Sequence, residues 1–282
     1  MSRFAVSIVR QPGNVHTACF REMVESVDAG LRALGHDSMV TERNDVPDRT
    51  NVIFGSAILA NLDHKVEFPA GSILYNLEQI YEGSPWLTPV VLDAFRRHTI
   101  WDYSDANVTA LARLFNIAAR WVPVGYVPAL TRIIPAPVQD IDVLFIGAPA
   151  PRRMDVLTAL AKTGARVAAV NGVYGAERDA LIARAKIHVN IHFHASRVFE
   201  IVRVSYLLAN RCFVVSETGQ PTTDEAFLAG GVAFARHDDL VATCVRYLQD
   251  APGRAAIAAQ GFRLMQSRDA AALLLPAVGR DR

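Results

Sequence analysis

The segment NIHFHASRVFEIVRVSYLLANRCFVVSE, residues 190–217, carries the strongest chemical signal in the chain. It places His194, Ser196 and Arg197 in a polar loop, then Glu200, Arg203 and Tyr206 on what reads as a helix. Glu200 and Arg203 lie three apart and so share a helix face. Two readings of that pair stand: a structural ion pair, or a carboxylate and a guanidinium turned toward a polar ligand. The His-x-His at 192 and 194 has the residue types of a metal site, but no third ligand follows, and no metal is expected. Upstream, the run DVLFI ends in Gly147, and Arg152 and Arg153 open the next helix. Cations at a helix start oppose its dipole. That mismatch favours a clamp on a diphosphate, with a solvated basic pair as the competing reading.

The first half offers weaker candidates. The loop Arg10 to His16 follows an apolar run and contains Gly13 and Asn14, so backbone there can approach an anion. His16 is a candidate general base. Glu78, beside Gln79, follows a strand, where a carboxylate and an amide can take sugar hydroxyls. Gly125 and Tyr126 end the first half, and Tyr126 offers an apolar face and a donor. Tyr174, in the loop before a helix of the second half, completes the set. The expected catalytic side chains are therefore His16, Glu78 and Glu200. The expected binding residues are Gly13, Asn14, Gly125, Tyr126, Gly147, Arg152, Arg153, Tyr174, Ser196, Arg197, Arg203 and Tyr206.

Short apolar runs alternate with amphipathic stretches. Strands are expected at 4–9, 37–41, 51–55, 72–76 and 98–102, with a helix over 20–35 closed by Gly35. Four prolines interrupt residues 120–141, which read as a linker. The pattern restarts with strand 142–146, helix 151–163, strand 166–170, helix 176–185, strand 187–191, helix 198–210 and strand 212–216. Strand 232–235 and helices 237–249 and 253–266 follow. Repeated βα units imply parallel sheets covered by helices. The expected fold is α/β, two Rossmann-like domains facing a cleft: 1–135, then 136–282, with the last helix free to cross back.

Composition bounds the partners. With 282 residues, 51% of them hydrophobic and 20% charged, the chain can fill two cores. A net charge of +1 argues against a nucleic-acid coat. Only Lys65, Lys162 and Lys186 are lysines, so the positive charge is nearly all arginine, the better bidentate partner for phosphate. Cys19, Cys212 and Cys244 are scattered and fit reduced thiols. The N-terminal run is too short for a signal peptide and no run is long enough to span a membrane, so a cytoplasmic protein is expected.

The stretch from FEIVRVSYLLANRCFVVSETG through Glu225, Gly230 and Gly231 to VAFARHDDL resembles GT-B glycosyltransferases, in particular the bacterial CgeB-like and family 1-type group. The likeness covers residues 140–265 and, by element order alone, the first half. It implies sugar transfer from a nucleotide-sugar donor, UDP- or GDP-linked, with no cofactor and no essential metal. The acceptor is left open among a saccharide, a lipid-linked saccharide and a small molecule. It places Arg152 or Arg153 and Ser196–Arg197 at the diphosphate and Glu200 nearest the donor. Many family members carry a second Glu for the ribose; here that position falls near Tyr206. The alternative reading is therefore a non-catalytic GT-B-fold protein that binds a nucleotide or sugar.

Overall fold

Runs of two to six residues form parallel strands, and the central ones, mostly apolar and buried on both faces, carry the signature of sheets covered by helices on each side. The computed structural model describes residues 1–11, 13–62 and 66–278. The chain divides into two compact units: Met1–Val127 with Arg268–Arg282, and Pro128–Ser267. The boundary expected at 135 therefore moves to 127/128. Within the supposed linker, Asn210 gathers the chain into the second unit, its Oδ1 accepting from the backbone N–H of Arg132 and Ile133 at 2.8 Å each.

Unit 1 contains β1 (Arg3–Ile8), α1 (Arg21–Ala33), β2 (Asp37–Val40), β3 (Thr50–Phe54), β4 (Ile73–Asn76), α2 (Pro89–Arg97), β5 (Thr99–Asp102), α3 (Asp105–Phe115) and β6 (Arg120–Trp121). Its sheet has the order β2-β1-β3-β4-β5-β6, every pairing parallel. The helix expected from residue 20 is preceded by a 3₁₀ turn, Val15–Phe20, capped by the Asn14 side chain.

Unit 2 contains β7 (Ile141–Ile146), α4 (Pro151–Lys162), β8 (Val167–Val170), α5 (Gly175–Arg184), β9 (Ala185–Asn190), α6 (Ile201–Ala209), β10 (Val214–Glu217), α7 (Thr223–Phe227), β11 (Ala233–Ala235), α8 (Leu240–Gln249) and α9 (Ala251–Gln266). The sheet order is β11-β10-β9-β7-β8, again all parallel. Alternate residues separate its faces. Val143, Phe145, Ile187, Val189, Ile191, Phe213 and Val215 join Leu157 and Leu160 of α4 and Leu240 of α8 in one core. His188, Asn190 and Ser216 stand on the other face. Each fully buried large side chain in such a core is worth about 1.5–3 kcal/mol.

The last helix, α10 (Ala270–Val278), belongs to unit 1. Tyr126 bridges to Asp269, and the Tyr126 N–H donates to the Arg268 carbonyl at 2.6 Å. A Cβ on Gly125 would lie 2.6 Å from the Ala270 Cα. Gly125 and Tyr126, expected as ligand contacts, thus dock this helix.

Candidate active site

In a doubly wound sheet, ligands bind beyond the carboxyl ends of the strands where the winding direction reverses. In unit 2 that reversal lies between β7 and β9, with β8 on one side and β10 on the other. The loops that follow β7 and β9 carry Gly147, Arg152 and Arg153, and the segment 191–200.

The helix expected over 198–210 begins only at Ile201. Val198 and Phe199 are buried in the loop, Phe199 edge-on to Phe234 at 5.4 Å, and this anchoring sets Glu200 at the N-cap of α6. The Glu200 side chain is 13% exposed. Its Oε2 lies 2.8 Å from Nδ1 of the fully buried His192 and accepts from Asn190 Nδ2 at 2.9 Å. Asn190 Nδ2 also reaches Ser216 Oγ at 3.0 Å, its cross-strand partner, and Arg203 Nη1 donates to Asn190 Oδ1 at 3.1 Å. Arg203 is thus tied to Glu200 through Asn190. Burial pushes the Glu200 carboxyl up; His192, Arg203 and Asn190 outweigh it and bring it down to about 2. Glu200 Oε1 and His192 Nε2 have no hydrogen-bond partner.

The two arginines of α4 differ sharply. Arg153 is 2% exposed and donates to the carbonyls of Ile191 and Ala148 at 2.9 Å each. Its guanidinium sits 5.1 Å from the Phe145 ring and 5.0 Å from Phe193, with Glu200 Oε1 at 3.8 Å. Burial, with Arg203 and Arg152 nearby, lowers its pKa to about 10. Arg152 instead makes a fork to Glu217, both contacts 2.6 Å. Glu217 is buried; burial raises its carboxyl, and the Arg152 fork with the His192 N–H more than offsets this. Gly147 makes room for the group: a Cβ would lie 3.3 Å from Arg203 Nη2 and 3.5 Å from Arg153 Nη1.

Arg197 is exposed at φ +48°, and its carbonyl accepts from the Gln220 N–H at 3.1 Å. Ser196 is half-buried in the same loop. Gly219 packs there so closely that a Cβ would lie 1.9 Å from the Arg197 carbonyl oxygen and 2.8 Å from His192 Nε2. Tyr174 is half-buried at the N-cap of α5, after β8. Tyr206 is committed elsewhere: its hydroxyl donates to Asp179 at 2.9 Å and accepts from Arg132 at 3.0 Å, with Arg178 over the ring. His194 lies edge-on to Phe193 at 5.1 Å, while His192 faces Glu200. Among the described residues no group of three His, Cys, Asp or Glu is placed to hold a metal ion.

Glu200, Arg152, Arg153, Arg203, Ser196, Arg197 and Gly147 therefore gather at the β7/β9 reversal. Asn190, Glu217 and Gly219 join them without having been singled out, as does His192, weighed in the sequence only as half of a metal pair. Their sequence signal was position alone, since each lies at or just past the end of β9 or β10.

In unit 1, Gly13 and His16 are exposed and Asn14 half-buried after β1. Glu78 is half-buried after β4, and burial raises its carboxyl to about 7. Its loop is fixed by Asp102, whose oxygens accept from Asn76, Asn107 and the Ser104 N–H, while Asn76 and Asn107 donate to the Glu78 carbonyl.

Solved structures match the fold over nearly the whole chain. The UDP-forming α,α-trehalose-phosphate synthase of Burkholderia vietnamiensis has a TM-score of 0.61 at 10% identity, covering 99% of this chain and 98% of that one. The fold is that of the GT-B glycosyltransferases. WaaG, a glycosyltransferase involved in lipopolysaccharide biosynthesis, gives 0.60 at 11% identity, covering 97% and 98%. Anabaena HepE, solved in complex with UDP, gives 0.56 at 12%, covering 99% and 98%. Of the GT-B chain of TarM, this chain spans 54%, at a TM-score of 0.57 and 10% identity. Two uncharacterised proteins of Acanthamoeba polyphaga mimivirus are similar in sequence. One is 28% identical over 222 residues, 75% of this chain and 69% of the viral protein. The other is 29% identical over 116 residues, 40% of this chain and 13% of the viral protein. No family model matches the chain. No helix among the described residues is long and apolar enough to cross a membrane.

Proposed function

We propose that the chain transfers a glycosyl group from a UDP- or GDP-linked donor to an acceptor hydroxyl, with the donor held by unit 2. The observation that carries this reading is the group at the β7/β9 reversal. There an ionised Glu200 stands at the N-cap position of α6, and its Oε1 and the His192 Nε2 are buried without a hydrogen-bond partner. The GT-B fold and the UDP held by HepE support it.

In this reading the diphosphate lies against Ala148 and the start of α6, where the helix dipole favours negative charge and the Ala148 and Val202 N–H groups donate, those of Gly147, Ile201 and Arg203 being taken by the carbonyls of Val170, Phe199 and Glu200. Arg153, buried and fixed, supplies positive charge as the sugar bond breaks and the leaving diphosphate gains charge. That division of labour needs no metal ion. Glu200 Oε1 accepts hydroxyl protons of the donor sugar and stabilises positive charge at the anomeric carbon. Glu78, raised by burial to about 7, is the group proposed to take the acceptor proton, with His16 as the alternative. Gly13, Asn14 and Tyr174 remain proposed contacts, and a cytoplasmic location fits the donor class. The acceptor is a saccharide, a lipid-linked saccharide or a small molecule.

A panel of UDP- and GDP-sugars tests the proposal by nucleoside-diphosphate release and thermal stabilisation. One donor is expected to do both, since a ligand at a hundred times its Kd stabilises by about 2.7 kcal/mol. Glu200→Gln should lower turnover by about 10²-fold or more. Silence of the whole panel in both assays would refute the reading. Binding without transfer is the second reading, favoured by the tyrosine at position 206, whose hydroxyl is occupied by Asp179 and Arg132. Multiple turnovers with any acceptor exclude it.

A further inference from the structure

At the opposite end of the same sheet, unit 2 holds a cavity of about 200 Å³ beneath the starts of β9 and β10. We propose that this cavity binds a small phosphomonoester with an apolar body. The inference is independent of the glycosyl-transfer reading.

Charge is the first argument. Lys186, Arg211 and Arg254 line the cavity, and no carboxylate does. Lys186 is neutralised by Asp142, 2.7 Å away. Neither arginine has a carboxylate within ion-pair distance among the described residues. The Arg211 guanidinium lies 3.9 Å from the centre of the Phe262 ring, and Arg254 Nη1 donates to the carbonyls of Tyr247 and Leu248. Two unneutralised guanidinium groups match a phosphomonoester dianion, whose oxygens fit their planar forks. Arg211 also sits at φ +57°, a region that costs a non-glycine residue energy.

The second argument is the uncharged part of the lining. His188 is 3% exposed, and its ring meets the Phe213 and Ile182 carbonyls. Its Nδ1 lies 3.3 Å from the Phe213 carbonyl oxygen. A neutral ring there adds no charge to the cavity, so the ligand's negative charge is left to the arginines. Burial holds this ring neutral, its pKa pushed down to about 4 against the Phe213 and Ile182 carbonyls. The remaining wall includes Ile133, Pro135 and Phe213, which fit an apolar body rather than a free inorganic ion.

Calorimetric titration of the full chain with phenyl phosphate tests the proposal, with benzoate, inorganic phosphate and UDP titrated in parallel. Saturable binding of phenyl phosphate, tighter than that of benzoate or inorganic phosphate and not displaced by UDP, is expected. Arg211→Asn, which tolerates the left-handed backbone, should weaken it by about tenfold or more. Ala255→Glu decides the matter if the first variant fails to fold. Ala255 is an exposed helical residue on the cavity wall, so the new carboxylate repels the ligand without removing a core contact. Both variants should keep the wild-type affinity for UDP; if UDP binds neither them nor the wild type, only the donor reading fails. Absence of saturable binding, displacement by UDP, or unchanged affinity in Ala255→Glu would each overturn the proposal.

Discussion

Glu200 gathers more of the chemistry than any other side chain, and its environment makes it measurable in two ways. Its carboxyl drops from an ordinary 4.5 to about 2 on folding because His192, Arg203 and Asn190 together outweigh burial. A depressed carboxyl stabilises the fold above its unfolded pKa and loses that contribution as pH falls through the folded value. About 3 kcal/mol should therefore disappear between about pH 4.5 and about 2, and Glu200→Gln should flatten that part of the stability curve in urea unfolding. Glu78 has the opposite sign. Burial raises it to about 7, so its contribution to stability is complete below about 4.5 and is lost as pH rises through about 7. If Glu78 takes the acceptor proton, kcat/KM should climb through that same range, and Glu78→Gln should remove the climb. An unchanged pH–rate profile in the variant would take Glu78 out of the mechanism.

At the scale of elements, the loops after parallel strands make the site, and their shape depends on particular packing. The sequence made the strand ends legible, because Gly147 follows DVLFI and Glu217 closes the run CFVVSE. It did not make the start of α6 legible. Helical periodicity runs on through Val198 and Phe199, yet both are buried in the loop, Phe199 beside Phe234, and the helix starts only after Glu200. Tyr206 was misplaced for a related reason. Spacing along α6 gives a helix face, but only packing shows that this face meets Asp179 and Arg132. In unit 1 the loop carrying Glu78 relies on Asp102 acting as an acceptor at both oxygens. Asp102→Asn would turn an amide N–H₂ against donors, and a loss of about 1–3 kcal/mol in thermal unfolding is expected. An unchanged Tm would show that the network adapts.

At the scale of the whole molecule, each unit winds its own parallel sheet, and the chain returns to unit 1 for its last helix. Alternation of strands and helices revealed both units from sequence. The boundary was harder to see, because the proline-rich stretch 128–138 looks like a linker while Asn210 binds it into unit 2. Gly125 explains the return: only a residue without a side chain lets the Ala270 backbone come so near. Cations crowd the β7/β9 reversal in unit 2 around carboxylates that burial alone would have neutralised, which is the setting for an anionic leaving group. Diffraction from crystals of the full chain soaked in UDP tests this most directly. The account predicts a diphosphate against Ala148 and the start of α6, beside Glu200. UDP bound at any other place, or absent at saturating concentration, would contradict it.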